Sequence, residues 1–143
     1  MTALVTGAAR RLGRAMALEL ARAGHDVAVH YSGSMAEAEA TAQDIRALGV
    51  RAVTLQADLI VEDQMQALVP RAAAALGAPI TVLVNNASIF EYDTLASATR
   101  NSWDRHLESN LRAPFVLTQA LAAQVPDPVT DDLGEPVAQG LVV

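Results

Sequence analysis

Cysteine and lysine are both absent from this chain of 143 residues. Without cysteine, neither a disulfide nor a thiolate metal site can form. His25, His30 and His106 are not spaced as a ligand cluster, so no metal is expected. Aromatic residues are scarce, at 3%, while hydrophobic residues reach 52%, much of that alanine. Small apolar side chains in that proportion suit helices packed closely on a sheet. Positive charge is short as well: ten arginines face sixteen acids, for a net charge of −6. No basic stripe exists to neutralise phosphates, so nucleic acid is not the expected partner. No apolar run approaches the roughly 18 residues that span a bilayer, so no membrane partner is expected. The start of the chain lacks the basic stretch and apolar core of a signal peptide, which points to the cytoplasm. The length fits one domain.

What is present alternates regularly. Short apolar runs at 3–6, 26–31, 51–56, 80–84 and 141–143 are separated by longer amphipathic stretches. Such alternation predicts βαβ units and an α/β fold with a parallel sheet. The first helix is predicted over 12–23, with Leu12, Ala15, Met16, Leu20 and Ala23 on one face and Gly24 as its stop. The second opens with Ser34 and Glu37 at capping-box spacing and ends at Gly49. The third is predicted over 62–76, with Met65, Leu68, Val69, Ala72 and Leu76 at helical spacing and a kink or break at Pro70. A long helix follows over 100–123, bending near Pro114, with Trp103, Leu107 and Leu111 on an apolar face. Residues 125–139, with three prolines and four acids, read as a surface loop.

Four places carry candidate chemistry. Between the first strand and first helix runs Thr6-Gly7-Ala8-Ala9-Arg10-Arg11-Leu12-Gly13. A dinucleotide pyrophosphate needs a tight turn, a backbone it can approach and free N–H groups at a helix start, which Gly7, Gly13 and the helix near Leu12 supply. The second strand ends in His30-Tyr31-Ser32-Gly33-Ser34, with no carboxylate to bond a ribose hydroxyl. Ser32 and Ser34 suit a 2′-phosphate instead, with Arg10 and Arg11 to neutralise it, so NADPH is favoured over NADH. Ser34 also reads as a helix cap. Asp58-Leu59, after the third strand, suits either an adenine amine or a helix cap. Asn85-Asn86-Ala87-Ser88 follows the fourth strand, where ligands bind in open α/β sheets. Two adjacent asparagines there are costly to leave unpaired.

Thr-Gly-(x)5-Gly, then Asp-Leu, Asn-Asn-Ala and Asn110 in the long helix, resemble the N-terminal half of the short-chain dehydrogenase/reductase family. The details are most similar to pteridine reductases: Arg11 in place of a middle glycine, the run from His30 to Ser34, and Asn86-Ala87-Ser88-Ile89-Phe90. The resemblance implies a Rossmann-type doubly wound sheet in strand order 3-2-1-4-5. It also implies an NADPH-dependent reductase acting on a small molecule, with a pteridine of the dihydrofolate or dihydrobiopterin type as the candidate substrate. By the same resemblance, Gly7, Arg10, Arg11, Leu12, Gly13, His30, Tyr31, Ser32, Ser34, Asp58, Leu59, Asn86, Ala87 and Ser88 meet the cofactor. Phe90 stacks on the pterin, with Ser88 and Arg11 beside it, and Asn110 serves a proton relay. Gly33 and Ile60 depart from the pteridine reductase pattern, which often has Arg and Ser or Thr there.

Family catalysis also needs a Tyr and a Lys four residues later. Only Tyr31 and Tyr92 occur here, both misplaced, and no lysine exists. The chain is therefore expected to be the N-terminal part, residues 1–143, of a longer enzyme, ending within its fifth strand. On that expectation it is inactive and poorly soluble alone, and homo-oligomeric, commonly tetrameric, when complete. The alternatives are a non-catalytic NADP(H)-binding module and a carbonyl or 3-oxoacyl reductase of the same family.

Overall fold

A computed structural model describes residues 1–143. Five parallel strands form the main sheet: β1 (Thr2–Val5), β2 (Asp26–Tyr31), β3 (Ala52–Gln56), β4 (Val82–Val84) and, after a small hairpin, β7 (Leu141–Val142). Their order is β3-β2-β1-β4-β7, the expected doubly wound order with β7 as the fifth member. Leu4 sits at the centre, in register with Ala28 on one side and Leu83 on the other. All of β1 is buried, as a central parallel strand covered on both faces must be.

Side chains alternate across the sheet, so the core divides in two. Ala3, Val5, Val27 and Val29 pack with α1 (Arg11–Arg22) and α2 (Met35–Ala47). Leu4, Ala28 and Leu83 pack with α3 (Glu62–Leu76) and α5 (Ala113–Ala122). The buried side of α3 is the predicted one, Met65, Leu68, Val69, Ala72 and Leu76, and the helix runs unbroken through Pro70.

The structure corrects several expectations. The buried face of α1 is Gly13, Ala17 and Ala21, while Leu12 is 67% exposed. A stripe of the smallest residues lets α1 lie close to the sheet, and the larger Met16 and Leu20 only flank the contact. Ser34 stands at the N-cap of α2 but makes no capping bond, so the capping box does not form. Residues 125–139 are not all loop: β5 (Val129–Thr130) and β6 (Pro136–Val137) pair antiparallel. Asp131 Oδ1 accepts the N–H groups of Leu133 and Glu135, and Gly134 takes φ +84, which closes that turn.

The long helix is three pieces: α4 (Arg100–Leu107), a π-helical turn (Glu108–Arg112) and α5. Its face of Trp103, Leu107 and Leu111 is exposed rather than packed. Two side-chain amides, Gln124 in the turn after α5 and Asn110 in the π-helical turn, hold the chain on either side of β4. Gln124 bonds both the N–H and the C=O of Ile80 (2.9 and 2.7 Å), and Asn110 does the same to Ile89 (both 2.9 Å).

Candidate functional site

The glycine turn between β1 and α1 is held by its carbonyls. Asn86 Nδ2 donates to the carbonyls of Thr6 (2.8 Å) and Gly7 (3.2 Å). Thr41 Oγ1, buried on α2, donates to the Ala9 carbonyl at 3.0 Å, and the Arg10 carbonyl accepts Arg14 N–H at 3.2 Å. Thr6 Oγ1 accepts the N–H groups of Asn86 and Ala87, both at 2.9 Å, and donates to the Val84 carbonyl at 3.1 Å. The carbonyls of residues 6, 7, 9 and 10 are thus all taken up by protein donors.

Donors remain at the start of α1. The first N–H groups of any helix lack intrahelical partners. Here no side chain caps them and no acidic residue stands in the first turn. The helix start therefore presents N–H groups and the positive end of its dipole. Two positions have unusual backbones, Gly7 at φ +63 and Arg11 at φ +53. Gly13 is required for contact: a Cβ there would overlap the Gly7 carbonyl oxygen and lie 2.5 Å from Asn86 Nδ2.

A cleft of about 570 Å³ opens over this turn. Every residue assigned to the cofactor from sequence lines it. Gly7, Arg10, Arg11, Leu12 and Gly13 come from the turn, and His30, Tyr31, Ser32 and Ser34 from the end of β2. Asp58 and Leu59 follow β3, and Asn86, Ala87 and Ser88 follow β4. Within this set the roles differ. The Ser34 hydroxyl is not spent on a cap. Asp58 Oδ1 accepts Ile60 N–H at 3.1 Å, and the N-cap of α3 is Val61, so Asp58 shapes a loop rather than capping the helix. His30 is 2% exposed, with both ring nitrogens bonded to backbone. Burial, more than the positive charge of Arg71, pulls its pKa down to about 4, against the opposing pull of the Ala57 carbonyl and Asp58. Asn86 meets the expected pairing, but Asn85 Oδ1 is buried without a partner.

Phe90 and Asn110 lie outside the lining of the cleft. Phe90 is 86% exposed and borders a separate depression of about 320 Å³ with Trp103 and Leu107. Its neighbour Ile89 reaches the cleft instead. Asn110 acts on the loop through Ile89.

The family model described as short chain dehydrogenase matches residues 1–129. The chain belongs to the short-chain dehydrogenase family. A curated relative, the 3-oxoacyl-(acyl-carrier-protein) reductase FabG of Staphylococcus epidermidis, is 37% identical over 124 residues, covering 87% of this chain and 50% of its own. The crystal structure of FolM, alternative dihydrofolate reductase 1, from Brucella canis complexed with NADP superposes with a TM-score of 0.85 at 37% identity. That match covers 99% of this chain and 53% of the other. A short-chain dehydrogenase from Burkholderia cenocepacia in complex with NADP matches at TM-score 0.83 and 41% identity, over 87% of this chain and 51% of its own. This short-chain dehydrogenase chain thus spans about half the length of the proteins it matches.

Sequence reasoning missed several residues of the site. Arg105 and Ser109 reach the cleft from the long helix. Their signal was available: Arg105, Ser109 and Arg112 recur at helical spacing as a polar side. Arg105 Nε is held by Glu91 Oε1 at 2.9 Å. Thr41 gave no signal, since a threonine inside an alanine-rich helix reads as filler. Chemically, the cleft combines unspent N–H groups, three arginines and free hydroxyls over a floor of satisfied carbonyls. That donor set fits a phosphate-bearing dinucleotide.

Proposed function

We propose that this chain is a single dinucleotide-binding domain of an NADPH-dependent reductase, acting on a small molecule in the cytoplasm. The observation that carries this reading is the glycine turn, whose carbonyls are bonded to Asn86, Thr41 and Arg14 while the start of α1 is left uncapped. Gly7, Leu12 and Gly13 would hold the pyrophosphate at that helix start. Asp58 and Leu59 would border the adenine, and Asn86, Ala87 and Ser88 the far side of the cofactor. The absence of an acid after β2, with Ser32, Ser34, Arg10 and Arg11 in its place, favours a 2′-phosphate over a bare ribose. Bound there, the nicotinamide supplies a hydride. The proton-donating Tyr and its Lys partner are assigned to residues outside this chain, with Asn110 as the relay residue contributed by it.

For the substrate, a pteridine is favoured, because the FolM match covers nearly the whole chain. Ser88 and Arg11 would meet it in the cleft. Phe90 would have to turn inward from its exposed position to stack on the ring. The second reading, a 3-oxoacyl reductase, draws on the FabG relatives. The complete protein is proposed to self-associate, as a tetramer; the exposed stripe of Trp103, Leu107, Leu111 and Phe115 supports the association and not its number.

Titration of the intact protein with NADPH and NADH tests the cofactor. NADPH is expected to bind at least about tenfold more tightly, which is roughly the strength of one charge-assisted contact. Arg10→Glu should narrow that gap. Equal affinities would overturn the 2′-phosphate site, and no binding would overturn the whole reading. Reduction of dihydrobiopterin, lost on Phe90→Ala while NADPH binding persists, separates the pteridine reading from the 3-oxoacyl one.

A further inference from the structure

His30 stands at the end of β2, behind the glycine turn, and three of its groups bond backbone. Nδ1 accepts Gly7 N–H at 3.1 Å. That fixes the neutral tautomer with its proton on Nε2, which donates to the Ala57 carbonyl at 3.1 Å. The backbone carbonyl of His30 accepts Ala8 N–H at 2.9 Å. With both nitrogens committed, the ring keeps no donor or acceptor for a ligand, although it borders the cleft.

We infer that His30 is a positioning residue for the phosphate turn, holding Gly7 and Ala8 from behind with Ala57 as its anchor. The inference rests on the cleft being a dinucleotide site. A valine or leucine in its place would fill the space but leave the part-buried Gly7 N–H and the buried Ala57 carbonyl without these partners, an unfavourable state. Gly7 sits at φ +63, a conformation with many alternatives for glycine. The imidazole selects one of them. It thereby sets the direction of the N–H groups further along the turn. A neutral ring is needed, since a protonated one has no acceptor for Gly7. Burial keeps it neutral, with Arg71 acting in the same direction and Asp58 against it.

The test compares two ligands of the intact protein: NADP+, which carries a pyrophosphate, and adenosine 2′-monophosphate, which does not. His30→Ala is expected to weaken NADP+ about tenfold, the cost of one buried polar contact. Adenosine 2′-monophosphate binding, measured per folded molecule, should change less than about twofold. His30→Asn keeps an acceptor near the Nδ1 position, whereas His30→Gln reaches toward Ala57 but not Gly7. Asn is therefore expected to bind NADP+ more tightly than Gln, and this comparison stands even if the Ala variant does not fold. Equal losses for both ligands, or equal affinities of the Asn and Gln variants, would overturn the role of His30. A wild-type protein that binds neither ligand would overturn the cofactor reading itself.

Discussion

The side-chain amide of Asn110 clamps the backbone of Ile89 from both sides, accepting its N–H and donating to its carbonyl, each at 2.9 Å. Asn110 lies in the π-helical turn Glu108–Arg112, where the helix is locally widened. The segment after β4 has no regular structure of its own, so this clamp, with His106 Nε2 accepting Glu91 N–H at 3.0 Å, defines its path. Asn110→Ala should therefore speed amide hydrogen exchange at Ile89 and lower stability by about 1 kcal/mol, since the bonds are partly solvated. On the proposed reductase reading, turnover by the whole protein should fall more than its cofactor affinity. Unchanged exchange at Ile89 would show that the clamp does not hold the loop.

Asn86 does comparable work on the glycine turn, with one nitrogen shared between two carbonyls. Asn86→Ala strands the Thr6 and Gly7 carbonyls and is expected to cost about 1–3 kcal/mol. Asn86→Asp should cost more than Ala at neutral pH, because a carboxylate would then face those carbonyls. Chemical denaturation of both variants checks the order. An Asp variant as stable as wild type would mean the carbonyls find other partners.

Periodicity made most of the scaffold legible, because burial on two faces imposes it. The four long apolar runs became strands, and the buried side of α3 is the one its spacing names. The inner face of α1 departs from its hydrophobic periodicity for a physical reason. How close a helix lies to a sheet decides whether leucine or glycine faces inward, and that distance is not written in the pattern. Gly13, Ala17 and Ala21 look weak by hydrophobicity yet form the contact. The site was legible as a set, since turn and strand-end residues fall together in any doubly wound sheet. The partners of individual side chains were not. His30 and Thr41 bond backbone atoms 23 and 32 residues away, which no local spacing encodes. Phe90 was placed by resemblance, and its ring lies outside the cleft.

Gly13→Ala tests that close approach directly. Alanine is the better helix former by about 1 kcal/mol, so on propensity alone the change would stabilise α1. The added methyl, however, meets the Gly7 carbonyl oxygen and the Asn86 amide, both of which are fixed by other bonds. Overpacking of this kind costs about 1–3 kcal/mol and should win. A lower melting temperature and weaker NADPH binding are expected together. Stabilisation would mean that α1 can shift away from the turn.

The pH dependence of stability should report His30. Its folded-state pKa, about 4, lies below the ordinary value of 6.5. The unfolded chain therefore binds a proton that the folded protein refuses. Stability is full above pH 6.5, falls as the pH drops toward 4, and levels off once both states are protonated. The loss over that window is about 3 kcal/mol. Carboxylates held by arginines, such as Asp26 beside Arg51, are also depressed below the ordinary 3.8 and lose their contribution just beneath that window, where the two acid losses run together. The His30 share must therefore be isolated by difference. Subtracting the profile of His30→Asn, which has no imidazole, should leave a step between pH 6.5 and 4. If the two profiles run parallel, the ring is not held neutral by the fold.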